Sequence, residues 1–86
     1  MKINYGKKFI KNLKKCPLEV RIKFRRRVAI FSVNKDFPLL HNHMLIGKMQ
    51  GLRSINITGD VRALYEEREN NEVIFVAIGT HSELYK

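Results

Sequence analysis

Hydrophobic residues follow a helical period in the first third of the chain. They recur at intervals of three and four residues, which places them on one face of a helix. The spacing predicts one helix over residues 7–15 and a second over residues 18–34, separated by Pro17. Proline ends the first helix and suits the first turn of the second. The segment KINY, residues 2–5, is predicted to form a short strand before both helices.

The second predicted helix has two apolar stripes on opposite sides. A helix of this kind is usually packed between two other layers. We therefore expect one stripe to contact a sheet and the other to contact the first helix or a partner. Arg27 falls at the edge of the first stripe, where its charged end is expected to reach solvent. The first stripe consists of Val20, Phe24, Val28 and Phe31, and the second of Ile22, Ala29 and Val33.

After Pro38 the pattern changes to the alternation that is typical of strands. Short turns separate four predicted strands, and such turns allow only antiparallel neighbours, because a parallel crossover needs about a dozen residues. The expected fold is α+β: an N-terminal strand and two helices packed on a four-stranded antiparallel sheet, in one domain over residues 1–86. The other face of the sheet is expected to be open for a ligand. The four strands are predicted over residues 43–48, 52–58, 60–67 and 72–79.

Positive charge is concentrated in the first part of the chain. The seventeen basic and eight acidic residues give a formal net charge of +9. Residues 1–35 hold twelve of the basic residues and a single acid, Glu19. This excess favours a polyanionic partner, namely nucleic acid, an acidic protein or an anionic membrane surface, over a basic face that only aids solubility.

Cysteine content and hydropathy indicate the compartment. Cys16 is the only cysteine, so an internal disulfide is excluded. We expect its side chain to act as a small buried hydrophobic residue near the start of a helix. Neither a secretory signal nor an apolar run long enough to cross a bilayer is visible. A reducing, cytoplasmic location is therefore expected.

Histidines supply the candidate acid–base chemistry. His81 follows the last predicted strand, with Tyr85 four residues later. Histidine suits proton transfer near neutral pH, and tyrosine offers a flat face for a nucleobase. A histidine near the end of a chain can equally decorate the surface. His41 and His43, with Asp60 and His81, form a weaker candidate metal site, since no cysteine or helical histidine spacing supports it.

Three charged residues interrupt the apolar pattern of the predicted strands. They are Arg53, Asp60 and Arg62. An unpaired charge is costly to bury, so these side chains are expected on the open face. Asp60 and Arg62 share strand parity and would either face one ligand or form a surface ion pair, which contributes little stability.

Two segments, NHMLIGKMQGLRSINITGDVRALYEE and IGTHSELY, resemble the RelE/ParE superfamily of toxins, and most closely the YafQ-type mRNA interferases. The family pattern is His-x-Leu-x-Gly, then Gly-x-Arg, then Asp, then Tyr, and finally Gly-Thr-His-x-x-Leu-aromatic. The match covers about half of the chain, and its C-terminal part is the most specific. The matching positions are His43, Leu45, Gly47, Gly51, Arg53, Asp60, Tyr65, Gly79, Thr80, His81, Leu84 and Tyr85.

The resemblance implies the toxin of a type II toxin–antitoxin system that cuts messenger RNA on the ribosome, without a cofactor or metal, through attack of the 2′-hydroxyl. A cognate antitoxin is the expected inhibitor, the basic helices are expected to contact ribosomal RNA, and operator DNA is an expected ligand of the toxin–antitoxin complex. The implied catalytic residues are His43, Asp60, His81 and Tyr85, and the implied RNA- and phosphate-binding residues are Arg53, Arg62, Lys48 and Asn56.

One position departs from the family pattern. YafQ-type toxins have a second active-site histidine three residues after the arginine, and this chain has Asn56 there. Asparagine forms hydrogen bonds but does not exchange a proton near neutral pH. Two alternatives therefore stay open: a weakly active toxin that still binds its antitoxin, and a ParE-like toxin that inhibits DNA gyrase. The gyrase alternative leaves His43, Asp60 and His81 without a role.

Overall fold

The structure is a computed structural model, and it describes residues 1–85. These residues form three helices and five strands, with two short 3₁₀ turns at Pro38–Leu40 and Gly47–Met49. Both predicted N-terminal helices are confirmed to within a residue. The helices are α1 (Lys7–Lys15), α2 (Leu18–Val33) and α3 (His81–Leu84), and the strands are β1 (Lys2–Tyr5), β2 (His43–Met44), β3 (Arg53–Asn56), β4 (Val61–Arg68) and β5 (Glu72–Thr80).

The sheet has five strands in the order β1-β5-β4-β3-β2. The four strands β2 to β5 pair antiparallel, as predicted from their short connections. The prediction of a four-stranded sheet is wrong in one respect, because β1 joins the edge and pairs parallel with β5. The long chain between β1 and β5, which includes α1 and α2, provides the crossover that parallel pairing requires.

The predicted strand over residues 43–48 is mostly not a strand. Only His43 and Met44 pair, and a 3₁₀ turn follows. Gly47 and Gly51 have φ values of 69° and 97°, in the left-handed region that glycine adopts without a steric penalty. The backbone therefore turns away from the ladder at Gly47, and β2 stays short.

Aromatic residues form the centre of the core between the helices and the sheet. Phe9 of α1 and Phe31 of α2 are fully buried against Phe75 of β5, with ring centroids 5.6 and 5.5 Å from that ring. Tyr65 of β4 packs edge-on against Phe31 at 4.9 Å. Burial of each such side chain contributes about 1.5–3 kcal/mol, and offset or edge-on ring pairs add to this.

The two stripes of α2 have different environments. The first stripe faces the core as predicted, with Phe24 and Phe31 buried. The second stripe is largely uncovered: Val33 is 88 % exposed and Ile22 is 42 % exposed, although Ile22 lines one cleft with Ile10 and Leu13 of α1. α1 therefore leaves most of this stripe uncovered, and the alternative expectation, that a partner covers it, stays a prediction. α1 instead packs beside α2 on the sheet, where it covers β5.

Arg27 does not extend into solvent as predicted. Its side chain is half-buried, and Nη1 donates hydrogen bonds to the carbonyl oxygens of Leu39 at 3.2 Å and Asn56 at 3.3 Å. The guanidinium group therefore links α2 to the end of β3 and to the Pro38–Leu40 turn. Hydrogen bonds to charged groups contribute about 1.5–3 kcal/mol, and these two contribute less because water reaches them.

No helix formed by residues 1–85 has both the length and the apolar composition needed to cross a bilayer.

Candidate active site

Strand register places several candidate residues on the face of the sheet opposite the helices. His43 pairs with Ser54, and Asn56 pairs with Arg62. Paired residues lie on the same face, and side chains two apart in a strand do so as well. Ile55, between Ser54 and Asn56, belongs to the helix-covered core. His43, Ser54, Asn56 and Arg62 therefore share the face that the helices leave uncovered, which we call the open face.

Asp60 and His81 lie next to each other at one end of this face. Asp60 is in the turn between β3 and β4, and its carbonyl oxygen accepts a hydrogen bond from the His81 N–H at 3.1 Å. Both residues are exposed. In the same turn, Thr58 Oγ1 accepts hydrogen bonds from the Asp60 and Val61 N–H groups at 3.2 and 2.9 Å. The turn thus fixes the position of the backbone at His81.

Helix α3 carries His81 and Tyr85 at its two ends. Thr80 Oγ1 accepts a hydrogen bond from the Glu83 N–H at 3.2 Å, and Glu83 Oε1 accepts one from the Thr80 N–H at 2.7 Å. This reciprocal capping box satisfies two backbone donors at the start of the helix. The rings of His81 and Tyr85 lie 4.6 Å apart with a tilt of 55°. Sequence analysis missed the helix, although Thr-x-x-Glu is its signature.

The hydrogen bond of His43 defines its tautomer. Nδ1 lies 2.9 Å from the carbonyl oxygen of His41. A carbonyl oxygen only accepts, so Nδ1 carries the proton, and Nε2 has the lone pair in the neutral ring. His41 adopts a left-handed conformation with φ of 47°, and its carbonyl group points toward His43, two residues later. The two imidazole rings are 5.0 Å apart.

Two polar atoms on the open face are buried and have no hydrogen-bond partner within residues 1–85. They are Ser54 Oγ and Asn56 Oδ1. An unsatisfied buried polar atom costs about 1–3 kcal/mol, so both side chains lower the stability of the sheet at the candidate site. Asn56 was a predicted site residue, whereas Ser54 was not. The signal for Ser54 was its even spacing with Asn56 in the strand.

Arg53 lies on the opposite face from Arg62. It pairs with the core residue Tyr65, and its Nε donates a hydrogen bond of 2.9 Å to Asn42 Oδ1. Asn42 Nδ2 donates in turn to the Tyr65 hydroxyl at 2.6 Å. Burial raises the pKa of Tyr65, and the bond from Asn42 offsets part of that rise. The expectation that Arg53 lies on the open face together with Arg62 is therefore wrong.

Arg62 and Lys48 occupy different surroundings. The Arg62 guanidinium donates to the carbonyl oxygens of Thr58 at 3.0 Å and Gly59 at 3.2 Å, so it closes the turn that holds Asp60. Within residues 1–85 no ion pair joins it to Asp60, contrary to one of the two expectations for that pair. Lys48 is exposed in the Gly47–Met49 turn, beyond the end of β2.

No metal site forms from the candidate histidines. Across residues 1–85, no group of three or more histidine, cysteine, aspartate or glutamate side chains is placed to hold a metal ion. His41 contacts His43, but the ring of His81 packs on Tyr85 at the far side of the sheet. Three strand spacings separate β2 from β5, which corresponds to about 14 Å across the sheet.

Comparisons with known proteins agree with the fold. A curated relative from Haemophilus influenzae that carries the name YafQ is 30% identical over 96% of this chain and 90% of its own length. The crystal structure of Escherichia coli YafQ matches with a TM-score of 0.74, at 20% identity over 98% of this chain and 97% of that one. YafQ from the E. coli DinJ–YafQ complex matches with a TM-score of 0.68, at 21% identity and the same coverage.

The family model for the bacterial toxin of the type II toxin–antitoxin system, YafQ, matches residues 1–86. The protein therefore belongs to the YafQ family of type II toxin–antitoxin toxins.

Proposed function

We propose that this toxin is a ribosome-dependent endoribonuclease that cleaves messenger RNA by attack of the 2′-hydroxyl on the adjacent phosphate. The observation that carries this proposal is the contact of His43 Nδ1 with the carbonyl oxygen of His41 at 2.9 Å. This contact holds the Nδ1–H, so the lone pair of Nε2 is available on the open face. A neutral imidazole with a fixed lone pair is suited to remove a proton at neutral pH.

The reaction assigns separate tasks to the two ends of the open face, and both imidazoles must reach inward over the sheet to one phosphate, because β2 and β5 lie about 14 Å apart. His43 Nε2 takes the proton of the 2′-hydroxyl, and the 2′-oxygen forms a bond to phosphorus. The bond from phosphorus to the 5′-oxygen breaks, and His81 supplies a proton to that oxygen. Asp60, beside His81, is a second group that exchanges protons at this end. The products are a 2′,3′-cyclic phosphate and a 5′-hydroxyl.

The remaining side chains bind and orient the RNA. Arg62 stabilises the negative charge that develops on the phosphate, as its guanidinium group lies beside the turn that holds Asp60. Asn56, which is partly exposed beside its strand partner Arg62, is proposed to contact the bound nucleotide. Tyr85 stacks on a base while it supports the ring of His81. Arg53 is left out of this site because it faces the helices.

Partners follow from the charge distribution. The basic residues of α1 and α2 are mostly exposed and are proposed to contact ribosomal RNA, with an affinity that falls as salt rises. E. coli YafQ forms a complex with DinJ. By analogy, we expect an antitoxin to inhibit this toxin, and a net charge of +9 favours an acidic one.

The test is translation in vitro with the wild-type toxin and with His81→Ala. The wild type is expected to cut the message, and the variant is expected to lose about two to four orders of magnitude in rate, the usual contribution of a general acid. Tyr5→Phe, a change far from the open face, is the matched control. A variant that cuts at the wild-type rate contradicts the assignment. Intact messages together with DNA breaks would favour gyrase inhibition instead.

A further inference from the structure

Half of strand β5 has no neighbour on one side. β1 pairs with β5 only from Glu72 to Phe75, and the last bond of this ladder runs from the Gly6 N–H to the Phe75 carbonyl oxygen at 3.0 Å. α1 begins at the next residue, so the chain leaves the sheet there. Beside the remaining segment, 76–80, no strand formed by residues 1–85 lies on that side.

Backbone groups of this segment point toward the empty side. The His81 N–H bonds to Asp60 on the β4 side, whereas the Thr80 N–H points the other way, to Glu83 Oε1 at 2.7 Å. Strand backbone groups alternate in direction from Ile78 to His81, beyond a β-bulge at Val76 that interrupts the alternation between Phe75 and Ala77. The N–H and C=O groups of Ile78 therefore face the same side as the Thr80 N–H. They form an unpaired edge, the feature to which another strand can add.

A groove of about 580 Å³ runs along this edge. We call it the β5 groove. Its walls are α1 on one side and α3 on the other, and Val20, Val61 and Ile78 provide apolar surface. Lys8 and Lys15 of α1 stand at its rim and are exposed. Glu83, an acidic residue that lines the groove, already accepts a hydrogen bond from the Thr80 N–H.

We propose that an extended, acidic segment of the inhibitor protein adds to β5 as a strand along residues 76–80. This inference rests on the proposed function only in that it takes the partner to be the toxin's protein inhibitor. Main-chain hydrogen bonds to Ile78 give affinity, while the apolar floor and the two lysines select the side chains. The segment of five residues spans about 17 Å, enough for a short strand.

Two features favour an extended protein segment over RNA. An RNA backbone has no alternating N–H and C=O groups to match those of Ile78. The lining between the lysines is mainly apolar, which suits valine or leucine side chains better than phosphates. The exposed lysines complement acidic residues at the ends of the segment, where water still reaches them.

The groove and the candidate active site share α3. Leu84 and Glu83 line the groove, while His81 and Tyr85 belong to the same single helical turn. A strand bound along Thr80 contacts the start of that turn. Its binding therefore changes the position or mobility of His81 without entering the open face. This gives the inhibitor a route to regulate cleavage from outside the site.

A synthetic peptide tests the proposal directly. Its centre alternates valine and threonine, and glutamates stand at both ends. We expect it to shift the amide resonances of residues 76–80 of the ¹⁵N-labelled toxin and to slow hydrogen exchange at Ile78. N-methylation of the peptide amides that face β5 should weaken binding at least ten-fold, whereas N-methylation of the outward amides should not.

Two further readouts use the toxin itself. Alkylation of Cys16, which lines the groove, should slow when the peptide is bound. The double change Lys8→Glu and Lys15→Glu should weaken binding about ten-fold, while the control Lys23→Glu, on α2, should leave it unchanged.

Several results would overturn the proposal. They are the absence of shifts at millimolar peptide, equal effects of both N-methylation patterns, and shifts confined to the outer faces of α1 and α2. Equal competition by a single-stranded RNA, or protection of the same amides by toxin dimerisation alone, would also overturn it. Binding is measured without ribosomes, so its failure is separate from a failure of RNA cleavage.

Discussion

The capping box of α3 should control cleavage without controlling global stability. The perturbation is Thr80→Val, which keeps the shape of the side chain and removes Oγ1. The Glu83 N–H then loses its acceptor, which lies 3.2 Å away in the wild type. α3 has four residues and none of them is buried, so little tertiary packing replaces the lost cap.

The expected magnitude follows from this geometry. Loss of an N-cap side chain costs about 1 kcal/mol, with a range of about 0.5–2 kcal/mol. At 25 °C a change of 1 kcal/mol alters an equilibrium about five-fold. The ordered state of α3, which holds His81 against Tyr85, should therefore become about five-fold less favourable relative to the frayed state. Because the core is untouched, the free energy of global unfolding should change by less than about 0.5 kcal/mol.

Hydrogen exchange and cleavage are measured on the same samples. The Tyr85 N–H bonds to the His81 carbonyl oxygen at 3.0 Å, so its exchange should accelerate about five-fold in Thr80→Val, and the cleavage rate should fall by a similar factor. Thr80→Ser retains the hydroxyl oxygen and serves as the control, with values close to the wild type. Unchanged exchange and cleavage in Thr80→Val, or equal losses in Thr80→Ser, would refute the reasoning.

Three other changes test the site, the core and the surface. Asn56→His restores the family residue and should raise the cleavage rate about ten-fold or more by adding a proton-exchanging group; a rate equal to the wild type argues against impaired acid–base chemistry at this position. Tyr65→Phe removes the hydroxyl that accepts from Asn42 and should lower the free energy of unfolding by about 1 kcal/mol, as measured by urea denaturation. Lys35 and Glu67 form an ion pair 2.8 Å apart, which lowers the pKa of Glu67 and raises the pKa of Lys35. The pair should therefore stabilise the fold between the ordinary pKa of glutamate and the ordinary pKa of lysine. This stabilisation should be lost as the pH falls through the lowered pKa of Glu67 or rises through the raised pKa of Lys35. Both side chains are partly exposed, so Lys35→Met should cost less than about 1 kcal/mol at pH 7 and nothing at pH 2; a cost that persists in acid would contradict this account.

Periodicity was sufficient for the parts of the fold with strong local signals. The helices α1 and α2 and the antiparallel order of β2 to β5 follow from apolar spacing, Pro17 and the short turns. The parallel pairing of β1 could not be read from spacing, because it joins residues some seventy positions apart. The early end of β2 depends on the positive φ of Gly47, which glycine permits but does not require.

Register decided which candidate residues share a face. Arg53 and Arg62 are both charged positions in strand patterns, and the sequence alone gave them the same expected side. Arg62 pairs with Asn56, whereas Arg53 pairs with Tyr65, and these two pairs lie on opposite faces. A shift of one residue along a strand moves a side chain to the other face of the sheet. By contrast, the Thr80–Glu83 capping box was readable as Thr-x-x-Glu, and its omission was avoidable.

Local backbone conformation lay beyond the sequence. The tautomer of His43 depends on the left-handed conformation of His41, and nothing in the segment HNH specifies which carbonyl group a histidine ring will meet. The same is true of the buried oxygen atoms of Ser54 and Asn56, since burial depends on neighbouring strands. Motif resemblance identified the histidines, whereas geometry was needed to propose their separate tasks.

The chemistry of the cut ends tests the central claim most directly. Messages recovered from ribosomes that were incubated with the toxin are analysed by mass spectrometry at the new termini. Attack by the 2′-hydroxyl, with proton transfer by His43 and His81, predicts a 2′,3′-cyclic phosphate on one fragment and a 5′-hydroxyl on the other. A 3′-hydroxyl paired with a 5′-phosphate, or a message that stays whole while protein synthesis stops, would contradict it.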